Sequence, residues 1–560
     1  MKKIIVRFAA TFAFVGTVFS TFADDGQGTA TLENNILTLS GLVTNVTAEA
    51  DLGASVTQVV MTAEGGVAFG ASVTAAKNYA VEGTGIVSVA EGKRFTVTAP
   101  RLSTIGHTLV KDGPGTLYFA GDASAVGNVA TPTRWVVKEG ELRICPGGSF
   151  WGGHSNTPNL AVELREGATF YQEQLDADGT HNPMGLLEMT GAQFIYGPSK
   201  YNGATPARPQ GNAAFKGGVL VHASATPSYM TWPLFSHLNH CNPDCTFNVE
   251  EGGTLIVDGV LTNGMQSTWP NELSCTFTKR GGGELILLKR NGWTGGTVFE
   301  GGTITVSHPE ALGKSTLTIA GDVTIHVPAG VTFICPPLAV DGAHTLTVTG
   351  GGAFTPPAAI PGNLTLANNA TGAAPQPIVG STLYLTGGSV TLSVSSDTVI
   401  TSMVGDASGA GKYTDIVKTG AGTLTLPAGV SESYRNLIVK EGLVSVSATT
   451  CFGWGETRVN GGGIRYTANM TMTQVERPII YEGSGIIDVP EGVKWEFRTN
   501  TFRCANAVVT KTGAGTWQSK DFVKDAWSSV NASRWIIQEG KLKCSGATCL
   551  RDIRATTILW

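Results

Sequence analysis

The residues best suited to chemistry form one short run, "HLNHCNPDC", with His237, His240, Cys241 and Cys245 inside nine positions. All four are zinc-binding types. A structural zinc site, however, draws its tetrahedral ligands as two pairs from separate turns, and the spacing His-x-x-His-Cys-x-x-x-Cys matches no common module. A metal, a disulfide or an ordinary loop all fit this run. "LDADGTHN" offers Asp176 and Asp178 before Gly179, the start of a calcium loop without its distal Glu. A turn is the simpler reading.

Two further sets recur along the chain. Glu139, Glu300, Glu441 and Glu539 each precede a Gly. Acid–base catalysis needs two such groups converging on one pocket, whereas equivalent positions in a repeat are expected to be solvated corners. Trp135, Trp293, Trp454, Trp517 and Trp535 sit within repeats, where an indole ordinarily covers the core, with stacking on a sugar as the alternative. No catalytic residue, cofactor or assigned metal site emerges.

Repeated phrases must position these residues. Lys-x-Gly-x-Gly-[Thr/Glu]-[Leu/Trp] occurs at Lys111, Gly113 and Gly115; at Lys279, Gly281 and Gly283; at Lys418, Gly420 and Gly422; and at Lys511, Gly513 and Gly515. A second phrase follows each copy: "WVVKEGELRI", "TVFEGGTITV", "LIVKEGLVSV" and "WIIQEGKLKC". "VEGTGIVSVAEGKRF" at 81 to 95 pairs with "YEGSGIIDVPEGVKW" at 481 to 495, and the same offset carries Lys111 onto Lys511 and Trp135 onto Trp535. Shared spacing of this kind marks a duplicated supersecondary unit.

Segments such as "TITV", "TLTI" and "TLTL" alternate polar with aliphatic residues, the period of a strand with one buried face. The 73 glycines among 560 residues supply sharp corners between them. The strands follow one another too closely for sandwiches in series, and no linker divides the chain. A solenoid is expected, with inward aliphatics stacking from turn to turn and threonines outward. We assign repeats to 24–170 and 276–560, with 171–275 a loop-rich irregular part of the coil.

The chain opens with Lys2, Lys3 and Arg7 before an apolar run from Phe8 to Phe19, so 1–23 reads as a secretory signal peptide. That run falls short of the roughly 20 residues a membrane span needs, and no membrane span is expected in the mature chain. A net charge of −5 without a basic stripe argues against nucleic acid as partner. Nine cysteines are too few for a disulfide framework in so long a chain, and most are expected to act as small buried hydrophobes.

"KRGGGELILL" and "NGWTGGTVFEGGTITVSHPEALG" together resemble the autotransporter-associated β-strand repeat, also called the passenger-associated transport repeat. The family's elements fall on Lys279, Gly281, Gly283 and Leu285, then Thr294, Gly295, Gly296 and Thr297, Gly302 to Val306, and Ala311 to Gly313. The copy at 418 to 447 has "ESYRN" in place of the Thr-Gly-Gly-Thr turn. The resemblance implies a right-handed parallel β-helix on an exported, surface-displayed or secreted bacterial protein. Its expected role is non-enzymatic: adhesion to, or matrix contact with, a surface polysaccharide or a host or matrix protein. A carbohydrate-active β-helix enzyme, a lyase or glycoside hydrolase, is the alternative. Family members often carry a C-terminal membrane barrel, and no series of lipid-facing strands follows the last repeat phrase here.

Overall fold

The computed structural model describes residues 17–19, 30–98, 101–120, 131–145, 160–173, 181–196, 212–215, 217–231, 244–261, 274, 276–313, 315–355, 357, 359–361, 364–368, 376–378, 383–385, 389–394, 397–400, 403–405, 414–430, 433–473, 477–497, 502–504, 506–519, 533–544 and 557–559. They form an all-β parallel solenoid with almost no helix. The chain divides into two units, Met1–Thr297 and Val298–Trp560.

From Thr84 to Leu287 in the first unit two parallel ladders each gain strands as the chain advances, beside a sheet formed by the strands nearest the start. One ladder runs through Thr84–Val89, Thr108–Asp112, Thr133–Val137, Leu160–Leu164, Leu186–Met189, Val219–Val221, Asp244–Val249 and Thr276–Arg280. The other runs through Arg94–Val97, Thr116–Phe119, Glu141–Ile144, Thr169–Gln172, Gln193–Tyr196, Ser228–Met230, Thr254–Val257 and Glu284–Leu287. The described part of 171–275 therefore contributes strands to both ladders in register with its neighbours. Near the start, Thr17–Phe19, inside the stretch read as a signal peptide, pairs antiparallel with Ala30–Leu32.

In the second unit one ladder joins Gly302–Val306, Val323–His326, His344–Thr349, Leu364–Asn368, Ser389–Val394, Asp415–Thr419, Leu437–Val439, Thr457–Val459, Ile479–Tyr481 and Phe502–Arg503. Another joins Thr423–Thr425, Leu443–Val446, Gly463–Tyr466, Ser484–Asp488, Val508–Thr512 and Arg534–Ile537.

Strand periodicity decides what each turn buries. Leu109, Trp135, Val162 and Leu187 lie in register and are all buried. Such columns put each apolar side chain against its equivalent one turn away, and no single turn buries its face alone. The duplication read from the sequence holds in register: Gly85 and Trp135 both pair with Leu109, and Gly485 and Trp535 both pair with Val509. In the second unit aromatic residues cluster in the core between Tyr466 and Trp535. Tyr466 stacks on Trp495 with ring centroids 4.0 Å apart. Trp517 then meets Trp535 at 5.0 Å, with Phe502 against both.

Close approach between turns explains the glycines. Gly140 has φ +68°, and a Cβ there would lie 2.5 Å from the carbonyl oxygen of Gly115 and 2.6 Å from that of Gly113. Gly167 has φ +76° with open space around it. Gly167→Ala should cost about 1 kcal/mol of backbone strain, whereas Gly140→Ala, which adds a clash with backbone, should cost clearly more, about 3 kcal/mol. Denaturant unfolding of both variants measures the difference.

Candidate functional site

Period 2 places the lysine of each repeat phrase on the same side of its strand as the core residue two positions earlier. Lys111 pairs with Val87 on one side and Val137 on the other, in a column of inward side chains. Lys111, Lys279, Lys418 and Lys511 are all 0% exposed. Sequence reasoning recognised these residues as repeat markers and missed their burial.

A buried ammonium must spend its three N–H donors. Lys111 Nζ donates to the carbonyls of Asp112 (3.0 Å), Gly113 (2.6 Å) and, one turn on, Glu139 (2.9 Å). Lys418 repeats this with Thr419 (2.8 Å), Gly420 (2.6 Å) and Glu441 (3.0 Å). Lys511 does so with Thr512 (2.5 Å), Gly513 (2.5 Å) and Glu539 (3.3 Å). Lys279 donates to Arg280 and Gly281, both at 2.8 Å.

The glycines build this cage. Gly113, Gly281, Gly420 and Gly513 have φ between +71° and +77°, the left-handed corner at which two successive carbonyls face the ammonium. At the second glycine the amide reaches back one turn: Gly115 N donates to Val89 O (2.8 Å), Gly283 N to Val249 O (3.0 Å), Gly422 N to Val394 O (2.7 Å) and Gly515 N to Val489 O (2.8 Å). The phrases at Lys111, Lys418 and Lys511 thus clamp three successive turns. Glu139, Glu441 and Glu539 serve the cage through their backbone carbonyls. The side chains of Glu139, Glu441 and Glu539 are exposed and Glu300 is half-buried, as expected for corner residues. Glu441 also accepts from the Gly420 amide at 2.9 Å. The Thr294–Thr297 turn caps a strand start: Gly295 O accepts from Thr276 Oγ1, Gly296 O from Phe277 N, and Trp293 Nε1 donates to Thr297 Oγ1 at 2.8 Å.

The remaining candidates separate. His237, His240, Cys241, Asp176 and Asp178 lie outside the described residues; Cys245 is buried within Asp244–Val249. Among the described residues no group of three or more His, Cys, Asp or Glu side chains could hold a metal ion. Cys335, Cys451 and Cys504 are buried thiols outside any disulfide, and burial pushes Cys504 up to about 11. Trp135, Trp293, Trp517 and Trp535 are buried; Trp454 is 47% exposed.

Outward-facing charges pair from turn to turn, a feature the sequence did not reveal. Arg134 bridges Glu163 (2.8 Å) and Glu188 (2.9 Å) on the next two strands of its ladder. Arg143 spans Glu141 and Glu173 while its guanidinium stacks on Tyr171, 4.4 Å from the ring centroid. Arg435 binds Asp415, and Arg458 binds Glu456 and Glu482. Arg134, Glu163 and Glu188 bring two carboxylates together on one face, as a glycosidase would need. Partial burial pushes the Glu163 carboxyl up, but the Arg134 and Arg165 guanidinium groups outweigh it and hold it below the usual range. That is the direction of a salt bridge rather than of a general acid.

Residues 109–144, 277–306 and 416–446 match the Passenger-associated-transport-repeat family, and each match contains one lysine cage. The chain carries passenger-associated transport repeats on an all-β parallel solenoid. It is 27% identical over 245 residues to the adhesin BmaC autotransporter of Brucella suis biovar 1 (strain 1330). That match covers 42% of this chain and 6% of the adhesin's length. No solved structure matches the chain.

Lys418→Met, which orphans three carbonyls, should cost on the order of 3 kcal/mol, and native-state amine labelling should modify exposed Lys93 and Lys440 but not the four caged lysines. Burial pushes Lys418 down to about 8 against the opposing pull of Glu441. Between that value and the ordinary 10.5 the unfolded chain holds the proton longer, so stability rises with pH across this window. The stability difference between wild type and Lys418→Met should be flat below pH about 8 and widen towards 10.5, as pH-dependent urea unfolding will measure.

Proposed function

We propose that this chain is an exported, passenger-like scaffold that serves adhesion at the cell surface or outside the cell and is not an enzyme. The observation that supports it most is the coincidence of three matched transport repeats with three lysine cages on a parallel solenoid. The relative named an adhesin agrees with this role, and a surface polysaccharide or a host or matrix protein is the partner class. A right-handed coil belongs to the same reading, since parallel strand crossovers are right-handed in about 98% of cases.

Export enters through the first 23 residues. Their removal would free Ala30–Glu33 of its pairing with Thr17–Phe19 and leave it on the edge of its sheet. Among the described residues no helix is long and apolar enough to cross a membrane. The enzyme alternative has the Arg134, Glu163 and Glu188 cluster in its favour, and the ion pairing there, with Glu163 held low, weighs against it.

Expression in a Gram-negative host with intact-mass analysis tests export: cleavage near Ala23 and a protease-accessible or medium-borne chain are expected. An uncleaved, protease-protected product would sink the proposal. Beads coated with purified chain should adhere to polysaccharide-coated or matrix-protein-coated surfaces, and a polysaccharide panel should show no depolymerisation.

A further inference from the structure

We infer that the corner Cys451–Gly455 of the second unit is a glycan contact site, with the Trp454 indole as its stacking surface and a neutral hexose-based polysaccharide as its ligand class. The inference rests on the adhesive reading above and gives it a location. Of the six described tryptophans, Trp135, Trp293, Trp495, Trp517 and Trp535 are at most 3% exposed, and Trp454 is 47% exposed. Its neighbours are pinned. Thr449–Cys451 forms a 3-10 turn, and Cys451 and Phe452 are 0% and 1% exposed. Tyr434 Oη donates to Cys451 O at 2.7 Å. The amides of Trp454 and Gly455 donate to the carbonyls of Tyr434 (3.2 Å) and Arg435 (2.9 Å). A Cβ on Gly453 would lie 2.6 Å from the Tyr434 ring, so the corner sits directly on that buried side chain.

The indole is therefore held outward by a fixed backbone, and an aromatic fixed in advance loses little entropy on binding. The turns beside it carry planar polar groups. Arg435 forks onto Asp415 with two 3.0 Å bonds, the Glu456 amide donates to Asn436 Oδ1 at 2.9 Å, and Arg458 is held by Glu456 (2.6 Å) and Glu482 (2.9 Å). A flat indole accepts the C–H face of a pyranose, while guanidinium, amide and carboxylate edges meet its hydroxyls. Arg435, Arg458 and Arg477, whose charge acts on Tyr434, against Asp415, Glu456 and Glu482 leave the corner without net charge, which gives an acidic polymer no net attraction. One indole is also far smaller than the roughly 800 Å² per partner of a stable protein interface.

Affinity electrophoresis of the full chain tests the site, with gels containing galactomannan, hydroxyethylcellulose or mixed-linkage β-glucan, and polygalacturonate as the acidic comparison. Retardation in at least one of the first three is expected. It should weaken about tenfold or more in Trp454→Ala and stay within about threefold of wild type in Trp454→Phe. The melting temperature of both variants should match wild type, because the side chain is outside the core. No retardation of wild type in the first three gels, retardation in polygalacturonate alone, or retardation that Trp454→Ala leaves intact would overturn the inference. In any of those cases, bead adhesion to protein-coated surfaces would show that the adhesive reading survives without this site.

Discussion

A lysine ammonium in the core of a β-solenoid can persist only where acceptors meet its donors, and at Lys111, Lys418 and Lys511 three backbone carbonyls do so. Two come from the corner that follows the lysine and one from the next turn, as at Lys111 with Asp112, Gly113 and Glu139. The requirement reaches through the sequence. It demands a left-handed residue two positions after the lysine, a second glycine to let the following strand close on the previous turn, and a Glu-Gly corner one turn later whose own glycine nests on the first two. An otherwise expensive charge thereby becomes a register pin between turns.

Register is the vulnerable property of such a fold. Columns of Val, Leu and Ile stack almost as well when shifted by two residues, and outward threonines do little to correct a slip. A directional donor that fits only at one corner does correct it. The ion pairs on the outer face, such as Arg134 with Glu163 and Glu188, add a second constraint of the same kind at lower energy, since they remain partly solvated. Aliphatic burial thus supplies the gross stability, and the polar corners select the single alignment.

Much of this was legible in the sequence. Alternating "TLTI" and "TITV" segments and the spaced glycines announced short strands with sharp corners, and the offset of 400 between the two halves survives as identical pairing at Leu109 and Val509. The lysine was legible too, by parity: in "HTLVKDG" Lys111 shares its face with Leu109, yet its charge invites a surface reading. The charge columns were not legible, because turn length varies. Arg134 and Glu163 are 29 positions apart and Arg134 and Glu188 are 54 apart, so no fixed period in the text aligns them. The buried tryptophans could not be told from Trp454 by composition; only position relative to the strands separates them.

That last contrast shows how such a coil accommodates function. Trp535 sits within a strand, in register with Val509, and is consumed by the core. Trp454 follows a 3-10 turn at a corner and faces water with its backbone held as firmly as any strand. Positions inside the ladders answer to the turns on either side, so substitution there is constrained by stacking. Corner positions answer only to local geometry, and they can change in chemistry while the coil is conserved around them. The cages that fix alignment and a corner such as Cys451–Gly455 are therefore separable, and the side chain at Trp454 can change without disturbing the lysines that hold the turns together.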